Sequence, residues 1–211
     1  MNVVDKTVYK GEYLSIVERT SDLNPDNPYS FLREVKNSGK LVVILPFRRN
    51  DKGELEFLIR KERVINWYPD RDVTESVTGG VEGNDPDNTA CMELKEETGY
   101  DMPFSKFIPI GATKIAKHAD TDVYMYAIDL TNIVRGPDYG DGSDGERRAY
   151  SYWASNIADV ESCIIYKILY RLFEMGIVNP SEYFNRLERK EKPEQIIAPV
   201  VKSLNVPKIK L

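Results

Sequence analysis

Three glutamates, Glu93, Glu96 and Glu97, stand within five residues of one another, just ahead of Gly99 and downstream of the glycine pair Gly79 and Gly80. Residues at i, i+3 and i+4 share one face of a helix, so this spacing projects three carboxylates into one small volume. Like charges so placed cost roughly a few tenths of a kcal/mol on an exposed helix. The group is either a solvated acidic face or a set of hard oxygen ligands for a divalent cation such as Mg²⁺ or Mn²⁺, which would relieve the repulsion. Other metals are poorly served. The single histidine, His118, excludes zinc sites built on several histidines, and Cys91 and Cys163 lie too far apart to read as a zinc motif.

The elements around the glutamates are legible in outline. In "DPDNTACMELKEETGY", Asp85 is a helix N-cap, Pro86 takes the first helical position and Gly99 caps the end. At 100° per residue, Ala90, Cys91, Leu94 and Thr98 are expected on one side and the three glutamates on the other. Upstream, the spacing predicts a hairpin around Tyr9 to Arg19 with Lys10-Gly11 at its turn, and a loop over "SDLNPDNPYS". "KLVVILPF" reads as a buried strand, "LEFLIRKERV" as the next after a turn at Lys52-Gly53, and "VTESVTGG" as a short strand. "FIPIGATKIA", "TDVYMYAIDL" and "RRAYSYWA" follow as strands, the last after a Gly/Asp-rich loop, "VRGPDYGDGSDGE". "SNIADVESCIIYKILYRLFEMG" predicts an amphipathic helix with Ile157, Val160, Ile164, Ile168, Leu169 and Leu172 as its stripe, and "PSEYFNRLERKEK" a short helix. Mixed strands with one central and one later helix imply an α+β fold, layered α/β/α.

With 211 residues the chain suffices for one full core. A net charge of −5 argues against a nucleic-acid backbone as partner. No apolar run is long enough for a membrane span, and no signal peptide is visible. Two cysteines without a disulfide framework fit a reduced, cytoplasmic protein.

The segment "TGGVEGNDPDNTACMELKEETGY" resembles the Nudix box of the Nudix hydrolases, G-x5-E-x7-R-E-U-x-E-E-x-G-U with U a bulky aliphatic residue. Glu93, Leu94, Glu96, Glu97 and Gly99 match its second half, and Tyr100 stands at its last position. Met92 replaces the family arginine that orients the metal-binding glutamates, Asn84 replaces the first glutamate, and the loop is one or two residues short. Arg60 and Lys95 are the candidate substitute cations. "YKGEYLSIVER", "FLREVKNSGKLVVILPF", "FLIRKERV" and "TESVTGG" are similar to the ADP-ribose pyrophosphatase branch, over roughly residues 7 to 176.

That resemblance implies a Nudix fold, an α/β/α sandwich with a mixed sheet and a short N-terminal β extension. It implies three regions: 1–38 for dimerisation and substrate contacts, 39–178 for the hydrolase domain, and 179–211 as a helix and tail. It implies metal ligation by Glu93, Glu96, Glu97, the Thr78 backbone carbonyl and Glu146, with Mg²⁺ or Mn²⁺ as cofactor. Glu96, Glu97 and Glu146 are the implied catalytic residues, Glu146 orienting or deprotonating the attacking water. Arg63, Glu75, Gly79 and Asp122 are the implied substrate contacts, and the assembly is a homodimer. The branch's serine-proline-glycine segment is absent; "KIAKHADTD" stands there. Each residue also has a plainer role open to it. Arg63 reads equally as a solvated strand residue, Glu75 as a partner of Arg71, Asp122 as turn chemistry and Glu146 as an ordinary loop charge beside Asp138, Asp141 and Asp144. Trp67 and Tyr68 suit base stacking or packing. The expected reaction is metal-dependent hydrolysis of ADP-ribose, to AMP and ribose 5-phosphate, or of a related nucleotide sugar. The rivals are hydrolysis of another phosphoanhydride, such as a nucleoside triphosphate, and a non-catalytic ligand-binding module.

Overall fold

The computed structural model describes residues 1–64, 67–136 and 149–187. Two sheets form. The first is an antiparallel three-stranded sheet of β1 (Val3–Lys10), β2 (Leu14–Ser21) and β3 (Asn24–Glu34). The reversal spans residues 11–13 rather than Lys10-Gly11: Lys10 still pairs with Ser15, and Gly11 N–H closes the turn on the Leu14 carbonyl at 2.8 Å. The loop expected over "SDLNPDNPYS" does not form as such: the chain turns at Asp22-Leu23 and β3 already begins at Asn24. Pro25 and Pro28 are tolerated because β3 is an edge strand, where a missing N–H breaks no ladder.

The second sheet holds β4 (Lys40–Arg49), β5 (Leu55–Glu62), β6 (Val73–Glu75), β7 (Val77–Gly80), β8 (Phe107–Lys114), β9 (Asp122–Asp129) and β10 (Tyr150–Ala154), in the order β10-β5-β4-β9-β8. Only β4 and β9 run parallel; the other pairs are antiparallel. "VTESVTGG" is therefore two strands. β6 pairs with β5, β7 pairs with β4, and Ser76 marks the crossing, its hydroxyl donating to the Ile44 carbonyl.

Alternation along β4 feeds two cores. Val42 and Ile44 face α1 (Pro86–Thr98) with Leu58, Val77, Leu94 and Tyr126. Val43, Leu45 and Phe47 face α2 (Cys163–Glu174) with Phe57, Ile165, Ile168 and Leu172. The result is the expected α/β/α sandwich. The amphipathic helix is shorter than predicted. Residues 155–162 are turns that still bury Ile157 and Val160, and the helix starts at Cys163. The short helix α3 (Pro180–Leu187) closes that core with Tyr183, whose ring meets Phe57 edge-on at 5.9 Å.

The N-terminal sheet docks on the β8–β9 connection. Leu32 N–H donates to His118 O at 2.8 Å and Asp120 N–H to Leu32 O at 2.9 Å. Tyr29 bonds His118 Nδ1 at 2.9 Å, which gives that histidine a structural contact. Replacing Phe57, which is fully buried, with alanine is expected to cost about 3–5 kcal/mol. Urea unfolding monitored by circular dichroism checks this.

Candidate functional site

Helix α1 begins and ends as its sequence dictates. The Asp85 carboxylate accepts from Asn88 N–H at 3.0 Å, and Gly99 adopts φ 75°, a left-handed conformation that glycine enters without strain. Glu93 and Glu96 are half-exposed, whereas Glu97 is buried. The expectation that all three glutamates lie opposite Ala90 and Leu94 is thus corrected. At about 100° per residue, Glu97 falls only about 20° from Ala90, on the rim of the packed face.

Burial pushes the Glu97 carboxyl well above its ordinary range, and the nearby Glu93 and Glu62 push the same way. Arg60, itself buried, opposes them. Its Nε stands 3.6 Å from Glu97 Oε1 and 3.1 Å from Glu62 Oε2, and its NH1 donates to the Glu97 carbonyl at 3.1 Å. Thr78 N–H adds a bond to Glu97 Oε2 at 3.3 Å. Ser151, level with Arg60 on β10, donates its hydroxyl to the same carbonyl at 3.2 Å, and Arg135 donates to the Thr98 carbonyl at 2.7 Å. The last carbonyls of α1 are thereby bonded by cations and a hydroxyl, as the negative helix end requires. Of the two candidate cations, Arg60 meets Glu97. Lys95 pairs with Asp101 at 2.6 Å, and Met92 is exposed.

Gly79 has a steric purpose. A methyl group built on its Cα would overlap the Glu93 carboxylate, so only glycine lets that side chain lie against β7. Gly80 likewise clears the Asn37 amide. Asn84 has φ 64°, the left-handed region that asparagine tolerates best after glycine, and it accepts from Lys40 Nζ. Among the described residues, no three His, Cys, Asp or Glu side chains stand close enough together to hold a metal ion. The expected three-carboxylate cluster is therefore not assembled with the side chains as they stand. Its parts suit a hard cation all the same. Glu93 and Glu97 both reach the Thr78–Gly79 backbone, all the donors are oxygens, and Glu93 raises the proton affinity of Glu97.

Beside this group lies a cavity of about 520 Å³. Leu41, Val43, Val64, Trp67, Ile115 and Ile164 give it apolar walls, and Thr78, Gly79 and Gly80 form one side. Glu62, Glu75 and Glu161 reach it too. Glu75 is buried, and its Oε1 has no hydrogen-bond partner among the described residues. Burial, then Glu62 and Glu161, push its carboxyl up to about 8. Arg71 does not pair with it; Arg71 bonds Glu161 Oε1 at 3.0 Å, and Thr74 N–H bonds Oε2 at 2.8 Å.

The other expected residues are placed as follows. Arg63 bonds Asp72 at 2.8 Å and the Pro69 carbonyl at 2.9 Å, closing the loop after β5. Asp122 opens β9 in an ion pair with Lys114 at 2.9 Å. Trp67 lines the cavity, and Tyr68 lies under the Arg71 guanidinium at 3.6 Å. Glu146 lies outside the described residues. Glu62 and Glu161 were not foreseen. They meet Glu75 through the pairing of β6 with β5 and through the turn before α2, neither of which leaves a local pattern.

No protein-family model matches the chain, and no curated protein matches it by sequence. A solved structure described as an ADP compounds hydrolase matches in fold, with a TM-score of 0.58 and 14% identity, over 83% of this chain and 91% of that one. The chain has the Nudix fold. At that identity the likeness extends to the architecture alone.

Two outcomes test this electrostatic arrangement. Arg60→Met leaves the Glu97 carboxyl buried without its cation and is expected to destabilise the fold by about 3–5 kcal/mol, read by urea denaturation. Glu75, raised in the folded state, holds its proton in the folded chain between its ordinary pKa of 4.5 and about 8. Its contribution to stability is complete below that window and is lost as pH rises through it. Melting temperatures at pH 5, 7 and 9 should show wild type losing ground to Glu75→Gln as pH rises; a constant difference would contradict the assignment.

Proposed function

We propose that this chain is a divalent-metal-dependent hydrolase of a nucleoside diphosphate linked to a second group, with ADP-ribose or a related nucleotide sugar as substrate. The observation that carries this reading is the meeting of Glu93 and Glu97 at the Thr78–Gly79 backbone, with Glu97 held from behind by Arg60. Mg²⁺ or Mn²⁺ held by Glu93, Glu96, Glu97 and the Thr78 carbonyl would neutralise the diphosphate and acidify a water. The chain's own part is orientation. Gly79 gives Glu93 room, and Thr78 N–H and Arg60 fix Glu97. Water adds to one phosphorus, the bridging P–O bond breaks, and each half leaves with a phosphate; from ADP-ribose these are AMP and ribose 5-phosphate. Glu146 is the proposed base, on its position ahead of β10. Arg63 is the proposed phosphate contact and Asp122 a contact to the far sugar. A homodimer through the N-terminal sheet belongs to the same proposal, supported by exposed Val4, Tyr9, Leu14 and Leu32.

A second reading, a Nudix-fold module that binds its ligand without turnover, is favoured by the absence of a three-acid cluster among the described residues. Incubation with Mg²⁺ or Mn²⁺ and ADP-ribose, nucleotide sugars, dinucleotides and nucleoside triphosphates separates the two. Turnover of ADP-ribose or a nucleotide sugar, reduced about 100-fold or more in Glu97→Gln, is the expected result. Binding without turnover of any of them would establish the second reading. Gly79→Ala should leave the melting temperature nearly unchanged, because the flexible Glu93 carboxylate can swing away, yet lower kcat about tenfold or more by displacing it. An unaltered kcat would remove Glu93 from the machinery.

A further inference from the structure

We propose that the cleft between the β3–β4 turn and the loop after β7 binds a phosphate dianion, either free phosphate or the phosphate of a monoester, on Lys36, Ser38, Lys40 and Asn84. The cleft has a volume of about 440 Å³, with Lys36, Ser38 and Lys40 on one wall and Glu82, Gly83 and Asn84 on the other. The two walls are matching turns. Lys40 N–H donates to the Asn37 carbonyl at 3.0 Å across Ser38 and Gly39, which have φ 53° and 70°. Asp85 N–H donates to the Glu82 carbonyl at 3.1 Å across Gly83 and Asn84, which have φ 57° and 64°. Left-handed φ at both central residues is the pattern of a type I′ turn, which glycine and asparagine enter most readily. Serine is a poor choice there, and a strained residue kept at a cleft points to use of its side chain. Val81 N–H donates to the Lys40 carbonyl at 2.9 Å and ties the walls together.

The donors outnumber the acceptors. Lys40 Nζ donates to the Asn84 amide oxygen, which uses one of its three protons. The Asn84 NH₂ adds two donors and the Ser38 hydroxyl another. A carboxylate at position 84 would neutralise Lys40; the amide accepts the same bond and leaves the charge in place. Lys36 lies over the Tyr13 ring at 5.6 Å and acts on Glu34 through space. Neither lysine makes an ion pair among the described residues. Glu82 is the one carboxylate on the described lining, so two cations face one acid in a chain of net charge −5. A phosphate dianion offers acceptors to both walls at once and charge to both lysines. The site is separate from the carboxylates of α1. Asn37 packs against Gly80 and Glu93 against Gly79, and successive strand residues face opposite ways, so this turn and Glu93 lie on opposite faces of β7.

The test is calorimetric titration of the full chain with inorganic phosphate and, separately, ribose 5-phosphate, at constant ionic strength and without divalent metal. It therefore reads this site whether or not the chain is a hydrolase. Wild type should bind at least one of the two with a Kd of about 1 mM or tighter. Asn84→Asp changes the charge at nearly constant shape, and aspartate also tolerates the left-handed region, so the melting temperature should hold while affinity falls about tenfold or more. Lys40→Gln should weaken binding similarly, and Glu82→Gln should tighten it. If Lys40→Gln does not fold, the other two variants decide. A preference for ribose 5-phosphate assigns the site to an ester, a preference for phosphate to the free anion, and equal affinity to the phosphate group alone. No binding of either by wild type, binding that is indifferent to Asn84→Asp, or weaker binding in Glu82→Gln overturns the site.

Discussion

A carboxylate buried at the foot of a helix must be compensated, and Glu97 sets that requirement for the whole centre of this molecule. Its partners come from three strands that are distant in sequence. Arg60 is on β5, Thr78 on β7 and Ser151 on β10, and each reaches either the Glu97 carboxylate or its carbonyl. The strand order meets this demand. β10 must lie beside β5 for Ser151 to stand level with Arg60, and β7 must leave β5 for β4 to bring its amide under the helix.

The crossing at Ser76 separates two chemistries that neighbour each other in sequence. Glu75, last on β6, stands level with Arg60 across the ladder, yet the guanidinium turns toward Glu62 and Glu97 and leaves Glu75 facing the cavity. Three residues later, Thr78 has changed partner strand and donates to Glu97. The five residues from Glu75 to Gly79 thus carry an unsatisfied carboxyl, a strand switch and the backbone on which Glu93 rests. A continuous strand over "VTESVTGG" would keep Glu75 and Thr78 on one ladder and could not serve both places.

What was legible in the sequence was local. Asp85, Pro86 and Gly99 are stereochemical signals, and the helix they bound lies where they place it. The uninterrupted apolar run of β4 announced a strand buried on both faces, and the cores on either side of it are that strand's alternate residues. The misplaced features are those decided by tertiary contact. Pro25 and Pro28 read as loop because the sequence does not reveal that β3 is an edge. Ile157 and Val160 have helical spacing but are buried from turns. Glu97 was expected opposite the packed face because its partner lies 37 residues away on β5.

The same long-range pairing gives a physical account of Met92. A cation carried on α1 itself, one turn from the carboxylates, would move with the helix and remain close to water. Arg60 is buried and anchored in a strand with a neighbour on each side, Ser151 and Glu75, so its guanidinium is held by the sheet. Because its surroundings screen it less, it acts on Glu97 more strongly than an exposed arginine would. Glu97 meets its cation from β5, while position 92 on α1 is an exposed methionine, its sulfur 3.3 Å from the Asn88 amide. The orientation of the carboxylate on the helix is thus governed from the sheet.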